Sequence, residues 1–337
     1  MSFTLKPRNG LPYAIATRLP RFPFALILLP MLLAGCEAEL NLAAVSQETS
    51  HASLRTDHYQ ALASNEAVSV LVGNDGVVLV SPDQGLTWQR QQLPGKPGLI
   101  DVDACPDGSF IALGFDNRLW HSADQGQSWN VHALPTEEQM LTATCAPGGA
   151  WWAAGGLTTL LGSQDQGASW DTTSLDEDAM LTTLQFLDAD QAVVTGEFGL
   201  VFNSTDAGQS WQASGNLPDE FYPHTSHFVS LDEGWVGGLN GFIYHTVDGG
   251  QSWQRQDTPS TAPIFNFSAN RDGLFAIGDH SSVLHLSGER WQTVPTPNAP
   301  VYLRAASSGD DHRLTVAGGR GLLLNLDTRP ALAAQAQ

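Results

Sequence analysis

The chain has 337 residues, 42% of them hydrophobic, and its 35 acidic residues outnumber 15 basic ones to give a net charge of −20. A balance this acidic excludes capture of nucleic acid or an anionic membrane surface through a basic patch. It leaves solubility and attraction of a basic partner as the roles of the charge.

Residues 1–35 read as a leader. Lys6, Arg8, Arg18 and Arg21 precede the apolar run FPFALILLPMLLA, which is too short to span a bilayer and suits a signal-peptide core. The run ends in Leu33-Ala34-Gly35-Cys36, which resembles the lipobox of bacterial lipoproteins. That resemblance implies cleavage before Cys36 and lipid attachment there. Glu37 follows the cysteine, in place of the Asp that retains proteobacterial lipoproteins in the inner membrane. The expectation is a periplasm-facing anchor in the outer membrane, with residues 36–50 as tether. Cleavage removes four basic and no acidic residues, so the remaining chain carries −24.

From residue 51 to 328 the chain is one repeat array. SPDQGLTW (Ser81–Trp88), SADQGQSW (Ser122–Trp129), SQDQGASW (Ser163–Trp170), STDAGQSW (Ser204–Trp211) and TVDGGQSW (Thr246–Trp253) are copies of one motif. Trp88, Trp129, Trp170, Trp211 and Trp253 step by 41, 41, 41 and 42 residues. A marker glycine stands eight residues before each copy, at Gly73, Gly114, Gly155, Gly196 and Gly238, and the series continues at Gly278 and Gly318. A period near 40 signals a propeller or solenoid, and the glycines count seven units. In the fourth unit LTTLQFL, AVVTG, GLVFNS and a short run from Trp211 are four strand-like stretches separated by turn residues. No segment after residue 50 has a helical period. Four strands per unit, seven times, predict an all-β chain folded as a seven-bladed β-propeller with four-stranded blades.

The motif has a structural reading. Asp83, Asp124, Asp165, Asp206 and Asp248 can accept backbone N–H bonds and close the hairpin between third and fourth strands. The glycine two positions later permits a positive φ, and the tryptophans supply apolar surface between blades. Cys105 and Cys145 occupy nearly equivalent places in adjacent units. Either they remain buried thiols or, as expected for an exported chain, they form a bridge.

The seventh unit supplies three strands before the polar tail 329–337, which is expected to be disordered. An open edge invites aggregation. The stretch HASLRT (His51–Thr56) is therefore expected to pair with Leu322–Leu326 as an N-terminal strand closing the last blade.

The motif S-x-D-x-G-x-[ST]-W is the Asp box, or bacterial neuraminidase repeat, of sialidases, other glycosidases, sorting receptors and non-enzymatic propellers. The longer unit, apolar-G-x-x-G-x-apolar-x-x-S-x-D-x-G-x-S-W repeated from about 51 to 327, resembles the photosystem II assembly/stability factor family. The resemblance implies a non-catalytic monomer without cofactor, whose partner is a membrane protein or membrane protein complex. Members of that family carry an arginine-rich patch, whereas the ten arginines after the leader are scattered here.

The alternative is an Asp-box glycoside hydrolase or a carbohydrate-binding propeller. A sialidase needs three arginines converging on a carboxylate; only Arg304 and Arg320 fall where an inner strand or a face loop reaches the axis. His224 and His227, three apart on a strand, point to opposite faces. Asp101, Asp103 and Asp107 lack the spacing and terminal Glu of a calcium loop. No metal site is expected. What varies from unit to unit is the turn after each marker glycine. Loops on a rigid support carry function, so Asp75, Phe115, Asp116, Glu197, Phe198, Asn240, Asp279, His280 and Arg320 are the candidate partner face.

Overall fold

The second strand of each unit is short and almost uncharged, as in Ser69–Gly73 (SVLVG) and Ala192–Gly196 (AVVTG), and such runs suit a strand covered on both faces. Outer strands such as Gln89–Gln92 (QRQQ) and Asp171–Ser174 (DTTS) are polar and border solvent. This gradient, repeated along the chain, dictates blades that radiate from an axis. A computed structural model describes residues 50–309 and 312–329. The leader, Cys36, the tether up to residue 49 and the tail beyond residue 329 lie outside the described residues.

Seven antiparallel sheets form, each a meander in chain order; six have four strands and the last has three. The inner strands are Tyr59–Ser64, Leu99–Ala104, Met140–Cys145, Leu181–Phe186, Pro223–Phe228, Ile264–Asn270 and Leu303–Ser308. Each packs against the next and the seventh packs against the first, closing a seven-bladed β-propeller. Among the described residues there is no α-helix. The core is correspondingly divided into seven apolar clusters, one at each blade interface, rather than one central mass.

The marker glycine ends the second strand in every blade, and it faces the first residue of the inner strand. Beyond that pair the inner strand bulges by one residue, with the same register seven times over. Backbone φ at Gly73, Gly155 and Gly238 is extended, so space rather than dihedral freedom demands glycine. A Cβ on Gly196 would lie 2.7 Å from the Met180 carbonyl oxygen, and one on Gly155 would be nearer still to that of Gln139. Those carbonyls accept N–H bonds from the first turn residue, Glu197 (2.8 Å) and Gly156 (2.9 Å). Replacing Gly196 by Val is expected to cost about 1–3 kcal/mol through overpacking against backbone. A lowered urea midpoint at unchanged m-value would show it.

The repeated loops lock themselves. Ser163 Oγ donates to Asp165 Oδ1 (2.9 Å) and accepts the Gly167 N–H (2.8 Å), while Asp165 accepts the N–H (2.8 Å) and hydroxyl (2.6 Å) of Ser169. The other four copies make the same bonds, and the hydroxyl four residues on holds each Asp carboxyl below its ordinary value. The loop glycines press on the preceding blade: Gly126 on Val70 and Val80, Gly208 on Trp152. Blade 6 has lost the motif, and Gly288 in its shortened turn would leave a Cβ in open space. A cavity of about 1070 Å³ opens there between blades 5 and 6, lined by Trp235, His245 and Trp291 among others.

The closing strand expected from His51–Thr56 is corrected by the structure. Leu303–Ser308, Arg313–Gly318 and Leu323–Asp327 make a three-stranded blade, and residues 51–56 form bends and a turn. The reason is spacing. In the other blades six or more residues separate an outer strand from the next inner strand. Residues 51–56 therefore fall in the connection leading to Tyr59, not in a strand position. They still clasp the seventh blade, since Ser53 Oγ donates to the Gly321 carbonyl (2.8 Å) and Gly321 N–H to that of Asp57 (2.8 Å).

Candidate functional site

In an antiparallel meander the turns between second and third strands share one face with the connections between blades. The repeated Asp loops occupy the other. The bonds from turn residue to the carbonyl just before the inner strand tie these turns to the entry of that strand. They share a left-handed residue: Asp75, Phe198, Asn240, His280 and Arg320 take positive φ of 52°, 58°, 58°, 55° and 57°.

The structure spreads the nine candidate residues over the turns of six blades, with none in blade 3, and does not gather them into one cluster. Phe115 (62%) and Phe198 (52%) are strongly exposed. Several carboxylates are engaged locally. Glu197 accepts the Met180 N–H (2.8 Å), Asp116 lies 3.6 Å from Arg118, and Asp279 lies 3.1 Å from His280.

A tighter constellation lies inward, where the sequence reading placed only Arg304. The bulge brings the second inner-strand residue of each blade to the channel mouth: Gln60, Ile100, Leu141, Thr182, His224, Phe265 and Arg304, each at least partly exposed. On one side rings follow one another, with Tyr222 to His224 at 5.3 Å, His224 to Phe265 at 5.5 Å, Phe265 to Tyr302 at 6.5 Å and Tyr302 to His58 at 6.2 Å. Gln60 Nε2 donates to the Tyr302 hydroxyl (3.0 Å). Burial, helped by the Arg304 charge, pushes the His224 imidazole below its ordinary value, so it is neutral at pH 7. Burial and the Glu197 carboxylate push the Tyr222 hydroxyl up. Arg304 is exposed and makes no ion pair among the described residues. The mouth is thus an arc of rings beside one cation.

Its signal was present in the sequence, because these residues stand 13 or 14 positions before each marker glycine. The bulge hid it, by shifting strand phase exactly where alternation would have been counted.

Below the mouth the channel wall is tied from blade to blade. Asp101 accepts from Thr142 Oγ1 (2.8 Å) and Ala143 N–H (2.9 Å), and Asp103 from Thr144 Oγ1 (2.7 Å) and Cys145 N–H (3.0 Å). Burial pushes the Asp101 carboxyl up to about 6 despite these bonds. Gln185 bridges to the Phe228 carbonyl and N–H, both at 2.9 Å. Asp101 and Asp103 are therefore inter-blade ties, and Asp107 caps a turn by accepting from Ser109 Oγ (2.6 Å). Cys105 and Cys145 join the same two blades as a disulfide, with Cα atoms 5.1 Å apart. Among the described residues Arg304 is the one arginine on an inner strand, so no arginine triad converges along the channel wall.

The family model described as Photosynthesis system II assembly factor YCF48 matches residues 168–263. Among solved structures, YCF48 bound to a D1 peptide is 16% identical with a TM-score of 0.65, covering 80% of this chain and 91% of its own. YCF48 from Cyanidioschyzon merolae is 14% identical, TM-score 0.68, covering 82% and 97%. A catalytically inactive virginiamycin B lyase from Staphylococcus aureus with quinupristin is 13% identical, TM-score 0.68, covering 80% and 95%. At these identities the structural matches establish the fold alone. No curated protein sequence matches the chain. In fold over 80–82% of the chain, and in sequence over residues 168–263, this is a propeller similar to the photosystem II assembly factor YCF48.

Proposed function

We propose that this propeller is a non-catalytic assembly or accessory factor that holds a segment of a membrane protein subunit on its turn face. The observation that carries the reading is the channel mouth, where Tyr222, His224, Phe265 and Tyr302 form a chain of rings beside Arg304. A chain of rings beside one exposed cation suits capture of a peptide segment. Similarity to a propeller solved with a D1 peptide supports the same reading. In this proposal the lipid on Cys36 keeps the monomer beside its client, on the periplasmic side of the outer membrane.

A photo-reactive side chain at Phe265 is expected to crosslink an integral membrane protein in native membranes, and one at Ser128 on the opposite face is not. Arg304→Ala should reduce the Phe265 crosslink about tenfold. Crosslinks from Ser128 alone would overturn the face. Turnover of a fluorogenic glycoside panel would overturn the non-catalytic reading in favour of an Asp-box glycosidase.

A further inference from the structure

The turn face is not uniform around the ring. Of the eight large hydrophobic residues that stand exposed among the described residues, four occupy consecutive turns of blades 2 to 5: Phe115, Leu157, Phe198 and Leu239. The other four lie on outer strands or on the opposite face. Leu157 and Phe198 hold positive φ of 48° and 58°, a region where Gly or Asn is unstrained and a bulky side chain is not. The backbone thus keeps apolar side chains in solvent at positions where it would favour something smaller.

Charge around this arc is one-signed. The connections LPTEEQ (134–139), LDEDAM (175–180) and LPDEFY (217–222) carry seven carboxylates, all exposed but Glu138, and Asp116 and Glu197 add two more. Arg118 is the one base in these turns and connections, and it lies 3.6 Å from Asp116. Blades 6, 7 and 1 differ, since Arg304, Arg320 and Lys96 there offset Asp75, Asp257 and Asp279. An exposed apolar arc rimmed by charge marks an interaction surface, and the sign of the rim selects what docks there.

We infer that blades 2 to 5 of the turn face dock a cationic amphipathic segment of a partner protein. Its apolar side chains lie on Phe115, Leu157, Phe198 and Leu239, and its Lys and Arg side chains lie over the three acidic connections. Nucleic acid and anionic lipid are repelled by the same charges that attract this segment. The inference rests on the turn face being the docking face, and it adds the sector and the chemistry of the partner.

The test uses the full chain with two synthetic peptides of equal charge, an amphipathic Lys/Leu peptide and a Lys/Gly peptide. The Lys/Leu peptide should bind about tenfold more tightly, and its affinity should fall steeply with added salt. Leu157→Asn with Phe198→Asn keeps the charge, suits the left-handed backbone, and should remove the preference for Lys/Leu while leaving the melting temperature equal or higher. Glu177→Gln, Asp178→Asn and Glu220→Gln together should weaken both peptides about tenfold. Equal binding of the two peptides, or wild-type binding by either variant, would overturn the inference. Phe265 crosslinks to a membrane protein without any peptide binding would sink this sector alone. Peptide binding without those crosslinks would leave the sector standing and remove the membrane client.

Discussion

Arg90→Ala is expected to cost about 3–5 kcal/mol, because it strips the partner from a buried carboxylate. Asp57 is 3% exposed, and Arg90 grips it in fork geometry at 2.7 and 2.9 Å. The same carboxylate accepts the Leu54 N–H (2.7 Å) and the Tyr59 hydroxyl (2.9 Å), and Arg90 also reaches the Ala52 carbonyl (3.0 Å). This one ion pair fastens the segment that clasps blade 7 to the outer strand of blade 1. It does the closing work that a fourth strand would have done.

The loss should also depend on pH in a direction that mere packing damage would not reproduce. Burial alone would raise the Asp57 carboxyl, but the bonds from Arg90, Leu54 and Tyr59 bring it below its ordinary value of 3.8. In the wild type that contribution is present above pH 3.8 and is lost as pH falls through the lower folded value. In Arg90→Ala the main counterweight to burial is gone, so the folded carboxyl rises above its unfolded value. The variant then regains stability as pH falls from 7 towards 4. Urea unfolding at pH 7 and pH 5 should show a deficit that narrows on acidification. A deficit constant with pH would mean that Asp57 is not its source. Asp57→Asn combined with Arg90→Met should recover part of the loss, since no buried charge is left unpaired.

Removing the bridge between Cys105 and Cys145 is expected to cost about 4 kcal/mol, from the chain entropy of a loop with a sequence separation of 40 residues. Both cysteines are buried, at 5% and 8% exposure, so reductant should act only after denaturation. Cys105→Ser with Cys145→Ser should lower the melting temperature by about 10 °C. Peptide mapping of the unreduced protein should recover the two cysteines in one linked species. Recovery of two separate free-thiol peptides would contradict the bridge. The bridge joins blades 2 and 3, whose inner strands are already tied through Asp101 and Asp103. Its loss should therefore loosen that interface first, which hydrogen exchange in Met140–Cys145 would report.

The repeat was legible because its physics is local. An Asp that bonds its own loop, a glycine that admits a carbonyl, and an uncharged buried strand each need only neighbours in the chain or in the adjacent strand. Five copies of the loop and seven of the glycine, at steps of 40 to 42 residues, then leave a ring of blades as the arrangement that buries all seven second strands. The candidate turns were legible for the same reason, as Phe115, Phe198 and the others stand where a constant frame varies.

Contacts between blades could not be read in the same way. The clasp of Asp57 by Arg90 joins residues 33 apart whose types occur throughout the chain. The aromatic mouth depends on one extra residue in each inner strand, and that bulge reverses the facing that strict alternation would assign. Asp101 and Asp103 carry no calcium-loop pattern in the sequence and become ties only because a neighbouring strand offers hydroxyls and N–H groups. By itself the sequence determined the number of blades, the repeat and the face on which the variable turns lie, since these follow from short-range bonding and burial. The tertiary structure alone decided how the ring is fastened and which side chains meet at its mouth. Those outcomes depend on which blades closure places side by side.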